Sequence, residues 1–269
     1  MIDLKNLPQQ APDFDLQELL EAGAHFGHQA RKWHPKMKPW IYAEKDGVHI
    51  FDLAKTAEQL KHAYNFAYDL GSKGKTLVII GTKKQAREVM NEVVIPSGVM
   101  YIISRWLGGL LTNWEQVGKS LRRMLDIEKG LKEGKFDAYT KRERVILDKE
   151  RQRQERFFGG IRDLKTKPDA LFIIDPSREK VAVLEASRNN IPMMALIDSN
   201  TNPDPIDLPI PANDDAVRSI QYIVKAVVAG YLAGKGVQKA VEEPKSVETQ
   251  MVEAAAEKKA ETAQPAKAA

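Results

Sequence analysis

The chain has 269 residues, carries 41 Lys and Arg against 37 Asp and Glu for a net charge of +4, and contains no Cys. That length holds one sizeable core or two small ones, and the missing thiols exclude disulfide scaffolds, Cys nucleophiles and Cys-based zinc sites, in keeping with a reducing compartment. So small a charge draws nucleic acid weakly unless it is concentrated; no apolar run approaches a membrane span and the opening MIDLKNLPQQAPDF has no apolar signal-type stretch, so a soluble cytoplasmic protein is expected.

Residues 1–15 read as an N-terminal extension. Residues 22–42, AGAHFGHQARKWHPKMKPWIY, then gather three His, four Lys or Arg, two Trp and two Pro with no acid. Bases to neutralise phosphate, rings to stack and Pro or Gly to keep the backbone extended suit an irregular nucleic acid. His25 and His28 are also candidate metal ligands. The stretch precedes the core and reads as an extended limb. Residues 55–71 place Leu60, Ala63, Tyr64, Ala67 and Leu70 at helical spacing. Three apolar runs, 76–80, 170–174 and 193–197, read as buried parallel strands. The first two are followed by helical patterns over 83–94 and 178–190. After the third, a Pro/Asp-rich loop leads to Asn213, an N-cap for a helix with Val217, Ile220, Val224, Val227 and Tyr231 on one face.

This alternation implies a three-layer α/β sandwich with a parallel sheet, assembled from 16–112 and 159–235. Between these parts, 113–130, with Trp114, Val117, Leu121 and Met124 at spacings of 3 and 4, and 140–158 read as an inserted antiparallel helical hairpin spanning 113–158. The run DKERQRQER at 148–156 has no hydrophobe, so burial alone does not hold its helix. Residues 236–269, rich in Ala, Glu and Lys and without an aromatic, read as a disordered tail.

Charge is concentrated along the chain: bases outnumber acids five to one over 25–45 and fourteen to nine over 105–156, whereas 161–234 has ten acids and eight bases. A basic side and an acidic side are expected. The turn after the first strand presents Lys83, Lys84 and Arg87 without a P-loop or dinucleotide fingerprint. Asp198, Asp204, Asp207, Asp214 and Asp215 are expected to cluster at the C-terminal end of the sheet, where open α/β folds place ligands. Paired carboxylates there suit Mg²⁺ or Zn²⁺, with Asp198 and Asp214 the candidate ligands, but capping and turn duty is the favoured reading, since Asn213-Asp214-Asp215 sits at a helix start. No serine has a nucleophile-elbow setting and all five histidines fall in the first 62 residues, so no catalytic constellation and no enzyme is indicated. In RWLGGLLTN at 105–113, a Gly pair that costs a helix about 1 kcal/mol per residue marks a joint needing unusual dihedrals or close approach. Trp106 is a candidate core anchor there and Arg105 a candidate phosphate contact. The RNA-binding set is therefore Arg31, Lys32, Lys36, Lys38, Lys83, Lys84, Arg87 and Arg105 on phosphates, with His28, Trp33 and His34 on sugars or bases. Its rivals are an α/β enzyme with a nucleotide or divalent metal at the acidic sheet end, and an adaptor whose helical hairpin and tail bind other proteins.

Long stretches, in order, carry a resemblance: LLEAGAHFGHQARKWHPKMKPWIY (19–42), VHIFDLAKT (48–56), IGTKKQA (80–86), RWLGGLLTN (105–113), PDALFIIDPSRE (168–179) and EASRNNIPMMALIDSNTNPDPIDLPIPANDD (185–215). They resemble the bacterial small-subunit ribosomal protein S2 family. The resemblance implies a flavodoxin-like core with a five-stranded parallel sheet and an inserted coiled-coil hairpin. It also implies a place between head and body of the small subunit, contact with small-subunit rRNA and neighbouring ribosomal proteins, and help in docking the large OB-fold-repeat protein that recruits mRNA. No catalytic activity is implied. Ala24, Ala30 and Ala212 depart from the family's usual Val, Thr and Gly.

Overall fold

The computed structural model describes Ile2 and residues 6–237; the tail expected over 236–269 lies, beyond Val237, outside the described residues. Helix α1 (Leu16–Glu21) starts at Asp15, whose carboxylate accepts the Gln17 N–H at 2.8 Å. Strands β1 (Phe26–Gln29), β2 (Ile41–Lys45) and β3 (Val48–Phe51) form an antiparallel sheet in the order β1-β3-β2. Helix α2 (Leu53–Ser72) is capped by Asp52 and buries Leu60, Ala63, Ala67 and Leu70, the stripe read from their spacing.

The main sheet takes β4 (Leu77–Ile80), β5 (Met100–Ile102), β6 (Ala170–Ile174), β7 (Met193–Ile197) and β8 (Leu208–Pro211), all parallel, in the order β5-β4-β6-β7-β8. Counting strands along the chain, this is the 2-1-3-4-5 order of a flavodoxin-like sheet, with its switch point between β4 and β6. The apolar runs mark three of these strands; β5 and β8 are additional to that pattern.

Successive strand residues point to opposite faces, so each strand serves two cores. Leu77, Ile79, Phe172, Ile174 and Leu196 pack under α2, α3 (Lys84–Val89) and a helix α8 over 217–237. Val78, Ile80, Leu171, Ile173 and Ala195 face α7 (Lys180–Arg188), Trp106, Leu111, Leu121, Met124 and Phe158. Helix α3 runs through a wide turn at Met90–Val94 into the single turn α4 (Ile95–Ser97). Helices α2 and α8 approach so closely that a Cβ at Gly71, Gly230 or Gly234 would overlap a backbone carbonyl of the partner helix. The N-terminal segment packs on this side: Gln10 and Ala11 donate their amides to Asn65 Oδ1 at 2.8 Å, and Phe14 meets Tyr64 and Tyr222 edge-on.

Helices α5 (Trp114–Lys132) and α6 (Lys141–Phe158) follow β5 and precede β6 in the chain. Helix α5 buries Leu121, Met124 and Ile127, whereas α6 buries Phe158 alone. Polar ties do the rest of the work for α6. Thr140 and Glu143 form a reciprocal capping box. Arg123 grips Glu150 with two N–H groups, and Arg162 bridges Glu128 and Glu155.

One buried side chain fixes the joint that launches α5. Glu185, 6% exposed on α7, accepts from the amides of Gly109 (2.7 Å), Leu111 (3.0 Å) and Thr112 (3.2 Å), the Thr112 hydroxyl and the Trp106 indole. Gly109 takes φ +91, a region L side chains avoid, which turns these amides towards one carboxylate. Burial pushes the Glu185 carboxyl up, but the amides and indole outweigh it and hold it below the ordinary value. Its contribution to stability is complete above the unfolded value of 4.5 and is lost as pH falls through the folded one.

Candidate nucleic-acid interface

The basic limb is not simply extended. Residues 22–42 supply β1, two 3-10 turns (Ala30–Lys32 and Pro35–Trp40) and the start of β2, because hairpin pairing with β3 satisfies their backbone. Asp46 and Gly47, at φ 54 and 74, make the two-residue turn joining β2 to β3. The limb is pinned to the β7–β8 loop, where the His34 amide donates to Ser199 O at 2.7 Å and the His28 amide to Ser199 Oγ at 2.9 Å. The His34 ring caps the second turn by accepting the Lys36 amide.

On this mount Arg31, Lys32, Trp33, Lys36 and Lys38 are exposed and His34 is half-buried. Trp33 lies 5.2 Å from the His49 ring. Arg31 bonds to Gln29 Oε1, Lys36 is paired with Asp204, and among the described residues Arg31, Lys32 and Lys38 have no carboxylate partner. Lys84, Arg87 and Arg105 are also exposed and unpaired among the described residues.

Lys83 and His28 are placed otherwise. Lys83 is 8% exposed, and its ammonium contacts Asp214 and Asp215 at 2.7 Å and Asp175 at 3.6 Å. Its charge is committed inside the protein, which corrects the expectation that it faces phosphate. Burial works against that charge, yet the three carboxylates prevail and raise the Lys83 pKa. His28 is half-buried, with Nδ1 2.9 Å from Asp198 Oδ2 and Nε2 3.6 Å from Asp215 Oδ2. The hydrogen bond to Asp198 raises its pKa against the effect of burial.

The acidic group also divides. Asp198 and Asp214 meet beyond the C-terminal ends of β7 and β8, joined by Asp215 and by Asp175 from the end of β6. Asp204 pairs with Lys36 instead, and Asp207 lies at the opposite end of the sheet, where its carboxylate accepts the Met193 amide at 3.0 Å. The loop recrosses the sheet before β8, so residues close in sequence reach opposite ends. Asn213 is not the N-cap of α8, which starts at 217; its side chain holds the turn before that helix, accepting from the amides of Asp215 (2.9 Å) and Ala216 (3.2 Å).

Asp214 is fully buried, and its Oδ2 has no hydrogen-bond partner. Burial, followed by the charges of Asp198 and Asp175, pushes it up to about 7 against the pull of Lys83. One ligand atom from each of His28, Asp198 and Asp214 lies within 4.8 Å of the others, so these three are the described residues able to hold a metal ion. His25 does not join them: its ring stacks on Phe26 with centroids 3.9 Å apart. The C-terminal ends of β6, β7 and β8 are thus filled by the protein's own ion pairs, locked by His28 from the small sheet.

The topology and this self-filled sheet end define a flavodoxin-like α/β protein that presents free basic side chains on a pinned limb. The family model of ribosomal protein S2 matches residues 19–234, and the chain belongs to the ribosomal protein S2 family. Membership makes it a small-subunit ribosomal protein, of a kind that is structural rather than enzymatic. Among the described residues no helix is long and apolar enough to cross a membrane.

Proposed function

We propose that the chain docks on small-subunit rRNA as a structural constituent of the small ribosomal subunit in the cytoplasm, as in the bacterial proteins it resembles, supporting assembly and translation. The observation that carries this reading is the limb: Arg31, Lys32 and Lys38 stand exposed without acidic partners beside Trp33 and His34, on a segment fixed to the core by backbone hydrogen bonds. Fixing these groups beforehand lowers the ordering entropy of binding. Lys84, Arg87 and Arg105 extend the charged surface.

Replacing Arg31, Lys32 and Lys38 together by Gln is expected to reduce the slope of log K against log salt for an rRNA fragment by about 2 to 3, since each phosphate contact contributes roughly 0.7–0.9. Melting temperature should stay nearly unchanged because the three exposed side chains hold no carboxylate partner among the described residues, and Arg31 gives up only an exposed hydrogen bond to Gln29. Filter binding over a salt series measures both slopes; an unchanged slope would sink the limb's role.

For α5 and α6 the reading is a coiled-coil hairpin that meets neighbouring ribosomal proteins, including the large OB-fold-repeat mRNA-binding protein. Its support is that Tyr139, Val145 and Ile146 are exposed on an otherwise charged surface. A divalent cation at His28, Asp198 and Asp214 completes the proposal, supported by the unpartnered Asp214 Oδ2 and the unbalanced carboxylates. Elemental analysis of the purified chain, with Asp214→Asn as control, tests that site.

A further inference from the structure

Outside the C-terminal ends of β4 and β6 lies a cavity of about 460 Å³ that the ion-pair cluster does not occupy. Its lining includes Thr82, Ser104, Arg105, Trp106, Arg178 and Glu179. The place is the switch point of the 2-1-3-4-5 sheet, where proteins of this topology accept nucleotides, and the volume falls within the range of small-ligand sites.

Its chemistry has two parts. Glu179 is 8% exposed, and one of its oxygens accepts the Thr82 hydroxyl while the other has no hydrogen-bond partner among the described residues. Arg105 and Arg178 are both exposed and neither is paired with Glu179 or any other carboxylate among the described residues. A sheltered acceptor inside and two free guanidiniums outside call for a ligand with adjacent N–H donors at one end and phosphate at the other. Guanine alone among the four RNA bases presents two neighbouring donors, N1–H and N2–H, on its Watson–Crick edge. Adenine and cytosine set an acceptor beside their donor, and uracil flanks its donor with two acceptors; each brings a lone pair against the carboxylate.

We propose that this cavity is a subsite for one unpaired guanine nucleotide of the bound RNA, with Glu179 accepting from the base and Arg105 and Arg178 holding its phosphates. The inference rests on the RNA-docking reading and adds a base-specific contact to it, since single-stranded RNA is read by its exposed base edges. Arg178 was not singled out in the sequence; the turn between β6 and α7 brings it beside Arg105.

The test titrates the full chain at low salt with 5′-GMP, 5′-AMP, 5′-CMP and 5′-UMP by ligand-detected NMR, alongside filter binding to small-subunit rRNA. GMP should bind at least tenfold more tightly than the other three. Glu179→Gln should erase that preference, and the pair Arg105→Gln with Arg178→Gln should weaken all four about tenfold while keeping it. Because Glu179 is buried, Val181→Trp, at the exposed rim of the same cavity, is the second variant and should block GMP without unfolding the chain. Equal binding of the four nucleotides, or GMP binding that survives Val181→Trp, would overturn the subsite. If rRNA is bound but GMP is not, the subsite falls alone; if neither is bound, the RNA-docking reading falls with it.

Discussion

Glu185→Ala is expected to lower the folding free energy by about 3–5 kcal/mol, because it strips one carboxylate from three amides, a hydroxyl and an indole at once. Leu111 N–H and the Trp106 indole are buried, so water does not replace the lost acceptor there. Thr112 is exposed and recovers part of its loss through solvent. Glu185→Gln keeps one acceptor oxygen and is expected to cost less than half as much. Urea denaturation with unchanged m-values measures both. Near-equal stability of Glu185→Ala and the parent would mean that the joint before α5 is held by Trp106 and Leu111 packing rather than by the carboxylate.

The second large effect is a pH dependence. In chelator-treated protein, stability is expected to fall by about 1.4 kcal/mol between about pH 6 and about pH 8. The sign follows from Asp214, whose carboxyl is pushed from 3.8 up to about 7. The folded chain holds a proton that the unfolded chain has released. That contribution is complete below the unfolded value and is lost as pH rises through about 7. His28, raised above 6.5 by Asp198, works in the same direction, its contribution complete below 6.5 and lost above its folded value. Asp214→Asn should flatten most of the profile, and excess zinc should flatten it in the parent by balancing the same carboxylates. Calorimetric melting at constant ionic strength reads these changes; a melting temperature that climbs from pH 6 to pH 8 would contradict the assignment.

What the sequence disclosed and concealed follows the range of each interaction. Strands β4, β6 and β7 are legible because burial on both faces makes them continuous apolar runs. Strand β5 has only three residues, and β8 reads Leu-Pro-Ile-Pro, where two prolines hide a strand that the sheet tolerates at its edge, pairing with β7 alone. Asp46-Gly47 carried a hairpin signal that the aromatic and basic richness of the limb overshadowed; reading it would have turned an extended limb into paired strands. The weak apolar content of α6 is legible in the run 148–156, and α6 buries Phe158 alone.

Charge commitments were beyond reach. Lys83 meets Asp214 across 131 residues and the His28 amide meets Asp198 across 170, whereas sequence periodicity reports only neighbours. A lysine after a strand looks identical whether it faces phosphate or three carboxylates. Asp175, in a left-handed turn at φ 61, and Glu185, on a helix, gave no local sign of their roles.

The central claim, that this chain is built to dock on small-subunit rRNA through a pre-fixed basic limb, is tested most directly by sedimentation with and without salt. Tagged chain added to small subunits lacking it should co-sediment at low ionic strength and leave the particle as salt rises, and the Arg31→Gln, Lys32→Gln, Lys38→Gln chain should leave at markedly lower salt. A chain that stays in the free pool at every salt concentration, or a triple variant that co-sediments identically, would contradict the account.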